Sequence, residues 1–277
     1  MPVSTDFSSP VYWSNRFESE QSFEWLISDQ DLLPFIEENL PQQFLLPYED
    51  TTQNEKGDEE DHQQSDIRPE KTLNVLHFGS GTSSLGSSLQ RYFDSAKSTS
   101  KTKEKGKCKD KVQVYDSDYV PTPQSSHSSD VDIPFILLDV LSLQSLKSNT
   151  PEDEWDLIID KSTCDAISCG GPIPLSIEEE GKGAEGESGS LPYPIGKLLY
   201  NLSKVTKIGG RWISISYSLN RFDDEIYTKY GWKLIKKQMI STTYIPGGRI
   251  VKDPRSGEER VVHEPETGVW MYVLGRV

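Results

Sequence analysis

Apolar positions along the chain alternate between short continuous runs and runs at helical spacing. Continuous apolar runs predict five strands, at 72–78, 112–115, 135–138, 155–159 and 212–217. Helical spacing between them predicts helices at 83–93 and 195–207, the second closed by Gly209 and Gly210. Alternating strands and helices imply right-handed crossovers, and therefore a mostly parallel sheet.

The two ends of the chain depart from this alternation. Residues 18–40 carry apolar side chains at approximately helical spacings, which predicts one or two helices. After a short helix near 221–229, two further strands at 232–239 and 268–274 are joined by a turn-rich loop, which favours an antiparallel pair. The sequence therefore predicts an α/β, Rossmann-like fold: a seven-strand, mostly parallel sheet with helices on both faces and a C-terminal antiparallel hairpin.

Several segments are too polar or too rich in turn residues to join a core. We predict disordered insertions near 48–70, 96–111, 174–190 and 247–266. The basic run in the second of these could be a nuclear address or a nucleic-acid patch, but Ser, Thr and Glu interrupt it and favour a solvated loop. A chain of 277 residues could form one large domain or two small ones, and we expect a single domain over 1–277.

Charge and composition narrow the class of partner. The formal net charge is −15, which repels phosphate backbones, so we expect no nucleic-acid partner; a basic protein fits better, although the acidic excess could serve solubility alone. The N-terminus lacks a basic region followed by an apolar stretch, and no run approaches the ~18 apolar residues that span a bilayer. We therefore expect a cytoplasmic monomer with no membrane partner. Its three cysteines, outside any close Cys/His cluster, predict reduced thiols and no metal site.

A glycine turn follows the first predicted strand and reads GSGTSS from Gly79. Glycine there lets the backbone approach a ligand, and the N–H groups that open the next helix suit a carboxylate or a phosphate. Position 84 is serine where a dinucleotide fingerprint needs glycine, and the chain has neither a P-loop lysine nor a Gly-x-Ser-x-Gly elbow. What remains is either the looser turn of S-adenosylmethionine binders or a plain tight turn.

Acidic residues follow the next two predicted strands. Asp116 comes directly after the second strand, where a carboxylate can accept hydrogen bonds from both hydroxyls of a ribose. Asp139 ends the third strand and could accept from an adenine amino group. Each could instead be a turn residue or a helix cap, but three suitable positions at three successive strand ends favour a cofactor site.

The fourth strand leads into a motif that is specific to one group of enzymes. Its sequence, DLIIDKSTCDA from Asp156, resembles the D-x-x-x-E-K-G-T-L-D-A stretch of the methyltransferases that modify lysine in translation elongation factor 1-alpha. The run YWSNRF from Tyr12 resembles their Y-W-x-x-R-Y element, and Glu24-Trp25 resembles their acid and tryptophan. The resemblance covers nearly the whole chain outside the insertions.

This resemblance implies a cofactor, a pocket and a methyl acceptor. The cofactor is S-adenosylmethionine, covered by an N-terminal helical segment at about 10–45. The implied pocket residues are Trp13, Phe17, Trp25, Gly79, Gly81, Asp116, Ser117, Asp139, Val140 and Lys161. The implied acceptor is a lysine side chain of a protein such as elongation factor 1-alpha. The chain departs from the family at Phe17, which replaces a tyrosine, at Asp160, which replaces a glutamate, and at Ser162, which replaces a glycine.

The chemistry asks little of the protein beyond alignment. The sulfonium of S-adenosylmethionine is already activated, so the protein has to bind, align and desolvate the acceptor. We expect Asp160 or Asp165 to position the acceptor amine, although Asp160 has a shorter reach than glutamate and Asp165 could instead cap the next helix. Two alternatives stay open: a methyltransferase acting on a small molecule, a carboxylate or a protein N-terminus, and a non-catalytic partner-binding module of the same fold.

Overall fold

The computed structural model describes residues 5–20, 22–45, 72–99, 111–122, 131, 133–173, 194–222, 226–242, 249–252, 257–262 and 268–277. The insertions expected near 48–70 and 174–190 lie outside these residues.

Nine strands form two sheets within the described residues. They are β1 Thr72–Phe78, β2 Lys111–Asp118, β3 Phe135–Leu137, β4 Trp155–Lys161, β5 Thr206–Ser216, β6 Trp232–Thr242, β7 Arg249–Lys252, β8 Glu259–Val262 and β9 Gly268–Arg276. The main sheet has seven strands in the order β3-β2-β1-β4-β5-β9-β6, and β7 pairs with β8 in a separate ribbon. Strands β1 to β5 pair in parallel, whereas β9 is antiparallel to both its neighbours. The predicted Rossmann-like sheet with a C-terminal antiparallel pair is confirmed.

Helices cover both faces of this sheet. They are α1 Pro10–Phe17, α2 Asp29–Glu37, α3 Gln42–Leu45, α4 Leu85–Thr99, α5 Leu143–Asn149, α6 Thr163–Ser168, α7 Pro194–Ser203 and α8 Ile226–Lys229. Because successive side chains of a strand point to opposite faces, the buried strands feed two hydrophobic clusters. One cluster contains side chains of α2 and α4, and the other contains side chains of α5, α7 and α8.

The glycine pair predicted to end a helix lies inside a strand. The helix α7 ends at Ser203, and Gly209 and Gly210 belong to β5. Gly209 has φ +82°, and the pairing of β4 with β5 shifts register between Trp155 and Leu157. The prediction was wrong because a strand bulge and a helix C-terminus both use glycine at positive φ.

Two expected insertions contain regular structure. The helix α4 runs to Thr99, into the segment near 96–111. Within the segment near 247–266, Arg249–Lys252 pairs with Glu259–Val262. The sequence reading missed this ribbon because its strands are short and separated by Pro, Gly and charged residues, which are also the residues of a loop.

The start of β4 is fixed by a buried carboxylate, Asp156, which is 1% exposed. It accepts a hydrogen bond from the backbone N–H of Asn74 (2.8 Å) and from Nζ of Lys207 (2.9 and 3.0 Å). We expect Asp156→Ala to lower the free energy of unfolding by about 3 kcal/mol, because a buried N–H and an ammonium lose their acceptor.

Urea denaturation of the two variants Asp156→Ala and Glu38→Ala would test this. Glu38 is a matched control because its carboxylate also faces a lysine, Lys236 at 3.7 Å, but is 64% exposed. Its removal should change the free energy of unfolding by less than about 0.5 kcal/mol. Equal losses in the two variants would show that Asp156 does not hold β1, β4 and β5 together.

Candidate functional site

A cavity of about 460 Å³ opens where the parallel strands end. Its lining includes residues that directly follow four strands: Gly79 after β1, Tyr119 after β2, Ser162 after β4 and Tyr217 after β5. The strand order reverses between β1 and β4, and the crevice at such a point is where open α/β sheets bind ligands. The volume lies in the usual range for a small-molecule site, about 300–1,000 Å³.

The glycine turn forms one wall of this cavity. Gly79 has φ +64° and Gly81 has φ +51°. A β-carbon at Gly79 would lie 2.1 Å from Oγ1 of Thr163, and one at Gly81 would lie 3.2 Å from Cζ of Phe17. Only glycine fits at Gly79, because the turn there is in direct contact with the start of α6.

The acidic residue that reaches the cavity from β2 is Asp118 instead of Asp116. Oδ1 of Asp116 lies 2.7 Å from Nδ1 of His77, and its carboxylate packs against Gly86 of α4. The neighbouring Ser117 is fully buried. Neither Asp116 nor Ser117 lines the cavity. The prediction placed them there because it ended the strand at Tyr115, whereas β2 continues to Asp118.

Asp118 is a buried acceptor at the cavity wall, 5% exposed. Its two carboxylate oxygens accept hydrogen bonds from the backbone N–H groups of Gly81 (3.1 Å) and Val120 (3.2 Å). Burial raises the pKa of Asp118 to about 6, although these hydrogen bonds act in the opposite direction. The carboxylate is therefore charged at neutral pH and takes up a proton only below about pH 6.

Asp139 and Val140 line the cavity after β3. Oδ1 of Asp139 also accepts a hydrogen bond from the backbone N–H of Leu141 (2.9 Å), so this carboxylate serves the turn as well. The carbonyl of Val140 accepts from Nδ2 of Asn201 (3.0 Å), which ties this wall to α7.

An aromatic segment from the N-terminal part of the chain closes the cavity on another side. We call residues 7–20 and 22–27 the cover segment. Trp13, Phe17 and Trp25 from this segment all line the cavity, and their contact with a cofactor stays a prediction. The ring centroids of Trp13 lie 5.7 Å from Phe17 and 6.1 Å from Trp25. The guanidinium of Arg16 stacks 4.7 Å from the centroid of Trp25. The cover segment thus presents a nearly continuous aromatic surface to the cavity.

Lys161 lines the cavity, but its ammonium is already paired. Its side chain is 2% exposed and forms an ion pair with Glu24, and Nζ also donates to the carbonyl of Ile27 (3.2 Å). Glu24 in turn accepts a hydrogen bond from the backbone N–H of Ser84 (2.7 Å). We expected the N–H groups that open α4 to suit a carboxylate or a phosphate, and here the carboxylate of Glu24 accepts from one of them. The sequence showed Glu24 only as part of a motif, without its partners.

The structure contradicts the expected role of Asp160. This residue is fully buried within β4 and does not line the cavity. Its carboxylate accepts hydrogen bonds from Nε1 of Trp212 (2.9 Å) and from the backbone N–H of Cys164 (3.1 Å). Burial raises the pKa of Asp160 to about 6. We expected Asp160 to lie beyond the end of β4, but it lies inside the strand. It therefore cannot position an acceptor.

Asp165 lines the cavity, but its oxygens are engaged by the segment after β5. They accept hydrogen bonds from Oγ of Ser216 (2.5 Å), from the backbone N–H of Tyr217 (3.1 Å) and from Arg221 (2.5 Å). The side chain does not cap α6, whose N-cap residue is Ser162. Asp165 therefore positions Tyr217, which lines the cavity and is 51% exposed.

Further cavity residues were not found from the sequence, notably Phe7, Tyr119 and Tyr217. Desolvation, together with the carboxylates of Asp118, Asp6 and Asp139, raises the pKa of Tyr119 above its ordinary range. A correct end for β2 would have revealed Tyr119, since it follows Asp118 directly. Phe7 lies before the Tyr12 motif and carries no signal of its own.

The described residues include no helix with the length and apolar character needed to cross a membrane. No three of the described His, Cys, Asp or Glu side chains come together as a potential metal site.

Comparison with known proteins gives one curated relative of note. The chain is 28% identical over 230 residues to the protein named methyltransferase srdJ of Neurospora crassa, a match that covers 80% of this chain and 71% of that protein. No protein-family model matches the chain.

Solved structures give looser similarities. A TehB-like S-adenosylmethionine-dependent methyltransferase of Corynebacterium glutamicum aligns at 13% identity and a TM-score of 0.38, covering 75% of this chain and 82% of that one. The fibrillarin pre-rRNA processing protein of Methanococcus jannaschii also aligns at 13% identity and 0.38, covering 75% and 67%. At such scores these similarities support no conclusion about function.

Proposed function

We propose that this protein transfers a methyl group from S-adenosylmethionine to a lysine side chain of a protein such as elongation factor 1-alpha. The observation that carries the proposal is the cavity at the carboxyl edge of the sheet, which combines a glycine turn, the buried acceptor Asp118 and an aromatic cover segment. An S-adenosylmethionine-dependent methyltransferase is supported by the Rossmann-like seven-strand sheet together with the curated relative, which is itself named a methyltransferase.

The residues of the cavity fit this cofactor. Thr163 packs where a β-carbon of Gly79 would lie, so glycine lets the backbone of the turn line the cavity, and the charged carboxylate of Asp118 can accept from ribose hydroxyls. Asp139 lies farther along the same wall, where it can accept from an adenine amino group. Lys161 is the one Lys or Arg among the described lining residues, and Glu24 balances its charge. An aromatic and acidic lining suits a sulfonium cation.

The protein acts mainly by binding and exclusion of water. When bound, the cofactor supplies a methyl group on a sulfonium, which is a good leaving group. Asp118 and Asp139 orient the nucleoside, while Trp13, Phe17 and Trp25 exclude water from the site. No chain nucleophile is needed for a direct displacement.

A lysine acceptor has to arrive as a neutral amine. Its unperturbed pKa is ~10.4, and partial burial lowers the pKa of an amine because it disfavours the charged form. Tyr217, half-exposed at the cavity, offers an aromatic surface for this desolvation, and Asp165 holds it in place. The net charge of −15 favours approach of a basic protein over a nucleic acid. Translation is cytoplasmic in eukaryotes, so this acceptor implies a cytoplasmic enzyme, which we propose acts as a monomer.

The test combines binding with labelled transfer. We expect calorimetry to give a micromolar dissociation constant for S-adenosylmethionine, and label from methyl-labelled cofactor to appear on lysine of purified elongation factor 1-alpha. The same elongation factor with its lysines acetylated chemically is the matched control and should take up no label, because an amide nitrogen does not accept a methyl group. Label on that control would show that the methyl acceptor is a group other than a lysine amine. Cofactor binding without transfer would exclude this acceptor, and no binding by a folded chain would favour the partner-binding module.

A further inference from the structure

Glu24 joins the cover segment to two separate parts of the cavity wall. Its carboxylate accepts hydrogen bonds from Oγ of Ser83 (2.9 and 3.1 Å) and from the N–H (2.7 Å) and Oγ (3.1 Å) of Ser84, in the turn after β1. It also pairs with the ammonium of Lys161, at the end of β4. Trp25, the next residue in the chain, lines the cavity, whereas Glu24 does not.

The cover segment has apolar contacts with the core at two places, at Phe17 and at the pair Leu26 and Ile27. The helix α1 contributes one buried residue, Phe17. The other described links between the cover segment and the glycine turn are polar. One of them is a hydrogen bond from Oγ1 of Thr82 to Glu20 (2.7 Å). Glu20 pairs mainly with Arg16, four residues earlier in the chain, so Glu24 is the acid that connects this segment to a buried charge of the sheet.

Glu24 also determines where Lys161 points. The ammonium is directed to Glu24 and to the carbonyl of Ile27, both in the cover segment. A buried ammonium that loses its partner is costly, so the pair favours the closed position of the segment. Opening the segment breaks the ion pair and uncovers Trp13 and Trp25 together.

We propose that Glu24 is a positioning residue that holds the cover segment over the cavity and thereby sets the affinity for the cofactor. This inference rests on the proposed function and deepens it. Glu24 acts through Trp13 and Trp25, which exclude water from the bound ligand. Each open molecule must close before it binds tightly. The apparent affinity is therefore proportional to the fraction of molecules that are closed.

The experiment compares Glu24→Gln with Glu38→Gln. Both variants remove one carboxylate charge facing a lysine, but Glu38 and Lys236 lie away from the cavity lining. Glutamine at 24 keeps one carbonyl acceptor but carries no charge, so the ion pair with Lys161 is lost and one of the two acceptor oxygens becomes a donor. Two quantities are measured: the dissociation constant for S-adenosylmethionine by calorimetry, and the exchange rate of backbone amides without cofactor.

Glu24→Gln should raise the dissociation constant about tenfold and speed amide exchange in residues 10–20, with exchange in β1 and β4 unchanged. Glu38→Gln should change neither quantity. Lys161→Met should also speed exchange in the cover segment. The double variant with Glu24→Gln should exchange little faster than either single variant, since both remove the same ion pair.

Unchanged affinity in Glu24→Gln would overturn the inference. Faster exchange in β1 and β4 as well as in the cover segment would also overturn it, because Glu24 would then stabilise the fold as a whole. If the wild-type chain binds no S-adenosylmethionine, the proposed function fails, and the exchange rates alone decide whether Glu24 holds the segment.

Discussion

Replacing Asp118 with alanine should raise the dissociation constant for S-adenosylmethionine at least about 100-fold. The carboxylate is the buried charged acceptor of the cavity wall, 5% exposed, and its loss would leave two ribose hydroxyls without a partner. Hydrogen bonds to a charged group contribute about 1.5–3 kcal/mol each, and 100-fold corresponds to about 2.7 kcal/mol. Calorimetric titration of the folded variant measures the change.

Asp116→Asn is the control for this experiment. Asp116 lies on the same strand but faces His77 and α4, so this variant should bind the cofactor as the wild type does. The opposite ranking, with Asp116 essential and Asp118 dispensable, would support the original interpretation of the sequence and contradict the structure.

The role of Asp118 also predicts how affinity depends on pH. Burial raises the pKa of Asp118 from 3.8 to about 6, and hydrogen bonds from ribose hydroxyls are stronger to the charged carboxylate than to its protonated form. Affinity should therefore reach its full value about one pH unit above this pKa, and fall by up to tenfold per pH unit as the pH drops through about 6. The Asp118→Asn variant has no proton to gain there, so its weaker binding should lack this dependence.

Gly79→Ala should lower the free energy of unfolding by about 3 kcal/mol. Positive φ costs an alanine about 1–2 kcal/mol, and overpacking against a neighbour costs a further ~1–3 kcal/mol. Both apply at Gly79, which has φ +64° and would place a β-carbon 2.1 Å from Oγ1 of Thr163. Urea denaturation measures the loss, and cofactor binding should fall with it because the turn must move.

Gly209→Ala separates the two causes. Gly209 has φ +82°, but nothing lies within 4 Å of an added β-carbon. Only the backbone term applies, so the expected loss is about 1 kcal/mol. If both variants lose the same stability, contact with Thr163 is not what requires glycine in the turn.

The sequence predicted the sheet well because buried parallel strands leave a strong local signal. The bounds of β1 were predicted correctly, and β4 was recognised by its continuous apolar run. The glycine turn was also predicted, since glycine at a strand-to-helix bend has few other uses. Each of these features is visible within about ten consecutive residues, which is the scale on which periodicity operates.

The errors arose where a distant contact decides the outcome. The predicted strand stopped short of the true end of β2 because the last three residues of β2 are polar. Asp116, Ser117 and Asp118 are nevertheless buried, since their polar groups find hydrogen-bond partners inside the protein. Asp160 was placed outside its strand for the same reason. The partners of Glu24, at Ser84 and Lys161, lie far away in the chain, and no local pattern reveals such a link.

The position of β9 has a consequence for how this sheet is completed during synthesis. Among the described residues, the strand β6 joins the main sheet only through β9, which is made later and inserts between β5 and β6. Until residues 268–276 leave the ribosome, β5 keeps an open edge that carries Trp212, Ile213 and Ile215. An unpaired apolar edge is a site for association with other chains. The nascent chain is therefore most exposed to aggregation just before its last strand of this sheet arrives.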